Sequence, residues 1–307
     1  MLLNPGRRVA VAEAHDPLCR RVAELLLRHD NVLVTTSSRW PTELVGLAAR
    51  GARIFATDPD DRGSLEAAFS QANSLLLLST AANGVWARRR QLEITLDAAA
   101  RAGVGRVVYA AVADAFDTSP MTVARDCAVV EQVCEAAYLP LTILRVGWPV
   151  EWLFPQIALA LRCGKWHCSA SDTRLPFVAF EDVARTAASV LLADTVTEGN
   201  LAITGPRALT LQDVVITVNL VFGSDIEVYQ VSEAALADHL EASYLTPLQV
   251  RQAKVMDVAC RYGLASEPTD AIKSITGHAA CGIEEVLLHH RLDILLSTKA
   301  MHPYSIT

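Results

Sequence analysis

Lysine is nearly missing from this chain of 307 residues: Lys165, Lys254, Lys273 and Lys299 are all it has. No stretch of lysine and arginine forms a basic run, and the net charge is −7. Direct nucleic-acid binding is therefore excluded as an expectation. An uninterrupted apolar span is missing too. The longest apolar segment, LPLTILRVGWPVEWLFPQIALALRCG, is broken by Arg145, Pro149, Glu151 and Pro155, which argues against a membrane partner. The N-terminal MLLNPGRRVAVAEAHD has no apolar stretch ahead of a small-residue cleavage site, so a cytoplasmic protein is expected. The seven cysteines are scattered and form no C-x-x-C pair, which predicts reduced thiols. CGKWHC (163–168) offers two thiols and one histidine, short of the four ligands a structural zinc needs, so no metal is expected. A Gly-x-Ser-x-Gly elbow and a phosphate-binding P-loop are absent as well.

What is present is a regular alternation. Short apolar runs at 8–12, 31–36, 52–57, 74–80, 105–112 and 139–147 read as strands. Between them, 16–29, 41–51, 61–72, 86–103 and 122–137 carry helical spacing. Fully apolar strands alternating with helices predict an α/β fold, a doubly wound parallel sheet of the Rossmann type. After Gly147 the rhythm changes. We expect a Rossmann-type domain over 1–147 and a smaller C-terminal α/β substrate lobe over 148–307, with part of 174–206 returning to the main sheet.

The first strand-to-helix turn, EAHDPLC (13–19), contains no glycine. Asp16 suits a helix N-cap and Pro17 a first helical position. Over almost the whole chain, several segments resemble the NmrA-like branch of the atypical short-chain dehydrogenase/reductases, including its quinone-reductase-like members. They are LAARGARIFATDPDDRGSLEAAF, RRRQLEITLDAAARAGVGRVVYAA, LPLTILRVGWPVEWL, LPFVAFEDVARTAASVL and LAITGPRALTLQDVV. The resemblance implies a cleft between the two parts that takes NADP or NAD and a small molecule. It also implies G-x-x-G-x-x-G after the first strand, where this chain has Glu13, Asp16 and Cys19. Those glycines permit the turn, the approach of the pyrophosphate and close helix packing. Glu13 and Asp16 replace them with negative charge at an anion site. Arg39, beside Ser37 and Ser38, matches an arginine that faces the 2′-phosphate in NADP-using relatives. The Tyr-x-x-x-Lys dyad of ordinary short-chain reductases is missing, Ala110 and Ala111 stand where the family often has serine or threonine, and Cys127 stands in place of a histidine.

Ligands of open α/β sheets bind beyond the carboxyl ends of the strands. That edge holds His15 and Asp16, Ser79 and Thr80, Asp114 and Asp117, and Trp148, Glu151 and Trp152. The acid–base candidates are His15, Asp16 and Asp114, with His167 reaching in from the second lobe. Ser79, Thr80, Trp148, Glu151 and Trp152 are candidates for binding a flat substrate. Ser37, Ser38 and Arg39 bind a cofactor only if a nucleotide is taken. The expected function is non-redox acid–base chemistry (cyclisation, dehydration, isomerisation or coupling) on an aromatic, quinone- or polyketide-like molecule, with no cofactor. NADP(H)-dependent oxidoreduction and a non-enzymatic sensor are the alternatives. A small-molecule partner is expected, and a homodimer stays open.

Overall fold

In the computed structural model, the structure describes residues 6–78, 85–112, 139–195, 199–263 and 267–300, with Gln132, Val133 and Ala136. The first half runs β1 (Arg7–Val11), α1 (Pro17–Leu26), β2 (Val32–Ser38), a 3-10 turn (Pro41–Leu44), α2 (Val45–Ala48), β3 (Arg53–Ala56), α3 (Arg62–Phe69), β4 (Ser74–Leu78), α4 (Val85–Arg101), β5 (Arg106–Val112) and β6 (Leu141–Val146). Next come β7 (Trp148–Pro149), a 3-10 turn (Val150–Leu153), α5 (Phe154–Cys163), β8 (Lys165–Cys168), β9 (Phe177–Val178), α6 (Phe180–Leu192) and β10 (Gly199–Ile203). The remainder is α7 (Leu211–Phe222), β11 (Glu227–Gln230), α8 (Glu233–Glu241), α9 (Pro247–Tyr262), α10 (Ala271–Thr276), α11 (Ile283–His289) and α12 (Arg291–Ala300).

Seven strands form one sheet in the order β10-β6-β5-β4-β1-β2-β3, and every adjacent pair is parallel. The order reverses between β1 and β4, which makes this the switch point of a doubly wound Rossmann-type sheet. Apolar residues cover both faces, as parallel strands require. Val9 and Val11 of β1 face the core of α1 and α6, while Ala10 and Ala12 face the core of α3 and α4. The segment 41–51, expected as one helix, is instead the 3-10 turn and the four-residue α2. It has only Leu44 and Leu47 to bury, too narrow a stripe to hold three turns of helix. The helix expected at 122–137 lies outside the described residues save three positions.

A second core gathers Trp148, Leu153, Ile157, Trp166, Leu175 and residues of α7, α9 and α11. Here β8 pairs with β11 in parallel, and β7 pairs with β9. The chain approaches itself very closely where this core meets the sheet. A Cβ on Gly205 would lie 1.7 Å from the carbonyl oxygen of Phe177, and one on Gly147 would lie 2.9 Å from that of Pro176. Only glycine lets β6 and β10 leave the sheet flush against β9, and this fixes the segment that carries Glu151. No helix among the described residues is long and apolar enough to cross a membrane.

Candidate functional site

The turn after β1 keeps a glycine-type backbone without the glycine. Glu13 sits at φ 51°, in the left-handed region. The turn is closed by Asp16 N–H donating to the Glu13 carbonyl at 2.9 Å, and tied to β2 by Ala14 N–H donating to the Ser37 carbonyl at 2.9 Å. Asp16 is the N-cap of α1 with Pro17 beside it. Its Oδ1 accepts from Leu18 N–H at 2.8 Å and from Cys19 N–H at 3.4 Å. A carboxylate thus occupies the helix N-terminus that would otherwise present these donors to an anion. Burial holds both the Glu13 and Asp16 carboxyls above their usual range; His15 and Arg39 pull Glu13 back, and the backbone donors pull Asp16 back.

The near polar neighbours of His15 are Ser38 and Glu13. Its Nδ1 lies 3.1 Å from the Ser38 hydroxyl and 3.5 Å from a Glu13 carboxylate oxygen, and its ring meets Trp40 edge-on at 4.9 Å. Ser38 Oγ also accepts from Trp40 N–H at 2.9 Å. His15 and Ser38 therefore fix the chain on either side of Arg39. The Arg39 guanidinium is about half exposed and donates to Asp58 at 2.8 Å, just beyond β3. Ser37 points the other way: it is buried, and its hydroxyl has no partner within the protein. Strand alternation explains the split between these neighbours.

Beyond β6 lies a cleft of about 690 Å³ between α1, α6 and the segment running into α11, lined by Leu18, Arg21, Glu151, Phe180, Asp182 and His290 among others. Glu151 Oε1 accepts from Phe180 N–H at 3.0 Å, while Oε2 is buried without a partner. Burial first, and then the nearby carboxylates of Asp182 and Glu181, push the Glu151 carboxyl from 4.5 up to about 7. Asp182 is raised by burial too and accepts from Cys281 N–H at 2.6 Å. Glu181 is held low by Arg21, which donates to it at 2.7 Å. His289 and His290, adjacent in sequence, have ring centroids 4.8 Å apart. His290 is already the C-cap of α11, off the helical path.

The raised Glu151 carboxyl has a consequence for stability. Between its unfolded value near 4.5 and its folded value of about 7, the folded chain binds the extra proton. Stability from this group is therefore complete below the lower value and is lost as pH rises through about 7. Glu151→Gln removes the titration. Its melting temperature should exceed that of the unmodified chain at pH 8, by the equivalent of about 1–3 kcal/mol, with the gap closing toward pH 5. An equal difference at both pH values would show that burial does not penalise the charged form.

The other candidates fall elsewhere. Trp148 and Trp152 meet edge-on at 6.3 Å, and Trp148 is buried in the second core. His167 stacks on His239 at 3.9 Å and meets Tyr229, lining a small cavity with Trp166, Leu236 and Met256. Neither its partners nor its cavity is shared with His15. Ser79, Thr80, Asp114 and Asp117 lie outside the described residues. Glu13 was singled out from the sequence only as a lost glycine, yet it is the carboxylate nearest His15. The one signal for that was its position two residues before the histidine at the end of an apolar strand.

Comparison with known proteins gives these geometries a context. A solved NADPH-dependent quinone oxidoreductase of Escherichia coli, in complex with NADPH, superposes with a TM-score of 0.81 and 25% identity, covering 92% of this chain and 99% of the other. The triphenylmethane reductase of Citrobacter sp., solved with NADP(H), shares the fold at a TM-score of 0.80 and 19% identity, covering 96% and 100% of the two chains. Among curated proteins, an agroclavine dehydrogenase of Claviceps purpurea (strain 20.1) is 28% identical over 141 residues, 44% of this chain and 49% of its own. An uncharacterized oxidoreductase of Bacillus subtilis (strain 168) is 24% identical over 127 residues, 41% of this chain and 44% of its own. This chain thus spans about half the length of those curated relatives.

These similarities overturn two expectations drawn from the sequence, namely non-redox acid–base chemistry and the absence of a cofactor. A similar solved protein is an NADPH-bound quinone oxidoreductase, and the similar curated proteins are named an oxidoreductase and a dehydrogenase. The inference from missing glycines failed for a physical reason: Glu13 itself adopts the left-handed conformation, so losing the glycine did not lose the turn. The NmrA-like family model matches residues 22–261, and the chain belongs to the NmrA-like family.

Proposed function

We propose that the chain is an NAD(P)H-dependent oxidoreductase with an altered cofactor turn, acting in the cytoplasm on a flat conjugated small molecule of the quinone class. The observation that carries this reading is the likeness, over 92% of the chain, to an NADPH-bound quinone oxidoreductase. The backbone supports it: the turn at Glu13 keeps the conformation a glycine would take, and Arg39 stands exposed at the end of β2. In this reading residues 1–147 hold the nucleotide and 148–307 shape the substrate site. The bound nicotinamide would supply a hydride. The chain supplies position: Arg39 holds the 2′-phosphate side, with Ser38 and His15 fixing the strand end on which it stands. The cleft beside Glu151 and Phe180 is large enough for a flat substrate, within the usual range of a few hundred Å³ for small-molecule sites.

Calorimetric titration with NADPH and NADH, followed by NADPH oxidation against a panel of quinones, tests the reading. Binding and quinone-dependent oxidation are expected, and the absence of both between pH 6 and 8 would sink it. Arg39→Ala separates the cofactors. A charged hydrogen bond to phosphate contributes about 1.5–3 kcal/mol, so NADPH should bind roughly ten-fold or more weakly while NADH is little changed. Equal losses for the two nucleotides would remove Arg39 from the 2′-phosphate.

A further inference from the structure

We propose that Glu151 is the proton donor of the reaction, delivering its carboxyl proton to the substrate oxygen in the cleft beside α6. This deepens the oxidoreductase reading and rests on it.

The geometry is asymmetric. One oxygen of Glu151 accepts the Phe180 N–H at 3.0 Å at the start of α6, and the other is buried and meets no donor. A carboxylate in that position would leave a buried negative oxygen unsatisfied, whereas a carboxylic acid places its O–H there. Glu151 lines the cleft of about 690 Å³, with Oε2 held just beneath its wall. The groups packed around it keep the acid neutral. Burial opposes its ionisation first, then Asp182 and Glu181 on α6, while Arg21 on α1 is engaged by Glu181 and Glu24 and Arg185 by Glu181. From the C-terminal side, Glu285, Cys281, His289 and His290 complete the wall. The resulting carboxyl titrates at about 7, where a general acid serves best at neutral pH. The other carboxyls lining the cleft are placed differently: Asp182 is tied to Cys281 N–H, Glu181 is ion-paired with Arg21, and Glu285 is exposed.

The step balances. Reduction of a quinone to a hydroquinone adds one hydride, from the reduced nicotinamide, and one proton. The Glu151 O–H bond breaks, an O–H bond forms on the substrate carbonyl oxygen that carries the new electron pair, and Glu151 is left as a carboxylate. Phe180 N–H stabilises that carboxylate through Oε1, and water in the open cleft returns the proton.

Two measurements on the full chain test this. In the first, infrared titration without nucleotide or substrate should show a protonated-carboxyl band that fades around pH 7 and is lost in Glu151→Gln; identical spectra for the two proteins at pH 6 would overturn the proposal. In the second, kcat of the NADPH–quinone reaction should fall above pH 7 in the unmodified chain. In Glu151→Gln it should be about 10²–10³-fold lower without that limb, and NADPH affinity should be retained. An unchanged pH profile in the variant would overturn the donor role and leave the oxidoreductase reading standing. No NADPH oxidation by the unmodified chain would overturn both.

Discussion

Replacing Glu13 and Asp16 together with glycine should tighten NADPH binding by about 100-fold, a gain near 2.7 kcal/mol. Two effects add at this turn. Asp16 Oδ1 holds the Leu18 and Cys19 N–H groups, the donors a pyrophosphate would use at the start of α1. Removing that carboxylate frees both donors and removes a like charge from the same spot. Glu13 adds a second carboxylate, and its φ of 51° is strained for any side chain but free for glycine. The substitution has a cost. Loss of the Asp16 cap weakens α1, although glycine at a cap costs only a few tenths of a kcal/mol relative to a good capping residue. Nucleotide affinity should therefore rise while the melting temperature changes little. Because burial raises both carboxyls, the unmodified chain should bind NADPH more tightly at the lower of two pH values that bracket their uptake of protons. The doubly substituted chain should lose most of that dependence. Calorimetric titration at both pH values reads all of this, and an unchanged affinity would mean that the pyrophosphate does not sit at this turn.

The same turn shows what the sequence could and could not reveal. Its local structure was legible: Asp-Pro ahead of a helical apolar stripe announces an N-cap, and Asp16 is one. Its backbone was not. Nothing in EAHDPLC states that Glu13 adopts positive φ, because the hydrogen bond from Ala14 to Ser37 that helps define the turn comes from β2, more than twenty residues away. Cys19, at the third glycine position, is fully buried and lets α1 pack on the sheet with a thiol where the family uses hydrogen. The strands of the parallel sheet were readable because each is a nearly pure apolar run. By contrast, nothing local in GKWHC marks β8, since its pairing with β11 joins residues about sixty apart. At the site, Glu151 could be placed at the sheet edge from its position after β6. Its unpartnered oxygen depends on where α6 begins and how the chain near Cys281 folds over it, and no local pattern encodes either.

Arg106→Met should lower stability by about 3–5 kcal/mol, because several buried hydrogen bonds from a charged donor, about 1.5–3 kcal/mol each, are lost together. An arginine opening a buried strand is unusual, and this one is only 5% exposed. Its guanidinium is a fork that ends α6: Nη2 donates to the carbonyls of Leu191 and Ala193, each at 2.7 Å, and Nε donates to Ser74 Oγ at 3.0 Å. Ser74 in turn donates to Leu191 O at 3.1 Å. The last carbonyls of a helix have no partners within it, and Arg106 satisfies them while tying α6 to β4 and β5. Methionine keeps the apolar stem but takes the charged donor from the Ala193 carbonyl and from Ser74 Oγ, and leaves Leu191 O with Ser74 alone. At about 2–4 °C per kcal/mol, the melting temperature should fall by roughly 6–20 °C. Lysine should rescue little, since a single ammonium cannot reproduce the fork that reaches both carbonyls and the serine. The effect should extend to the cleft. The N-terminus of α6 supplies the Phe180 N–H to Glu151, so a helix released at its far end should also loosen that contact. Thermal unfolding of Arg106→Met and Arg106→Lys, read beside the Glu151 titration, checks the chain of dependence. A melting temperature within about 2 °C of the unmodified chain would show that α6 is held by its apolar face alone.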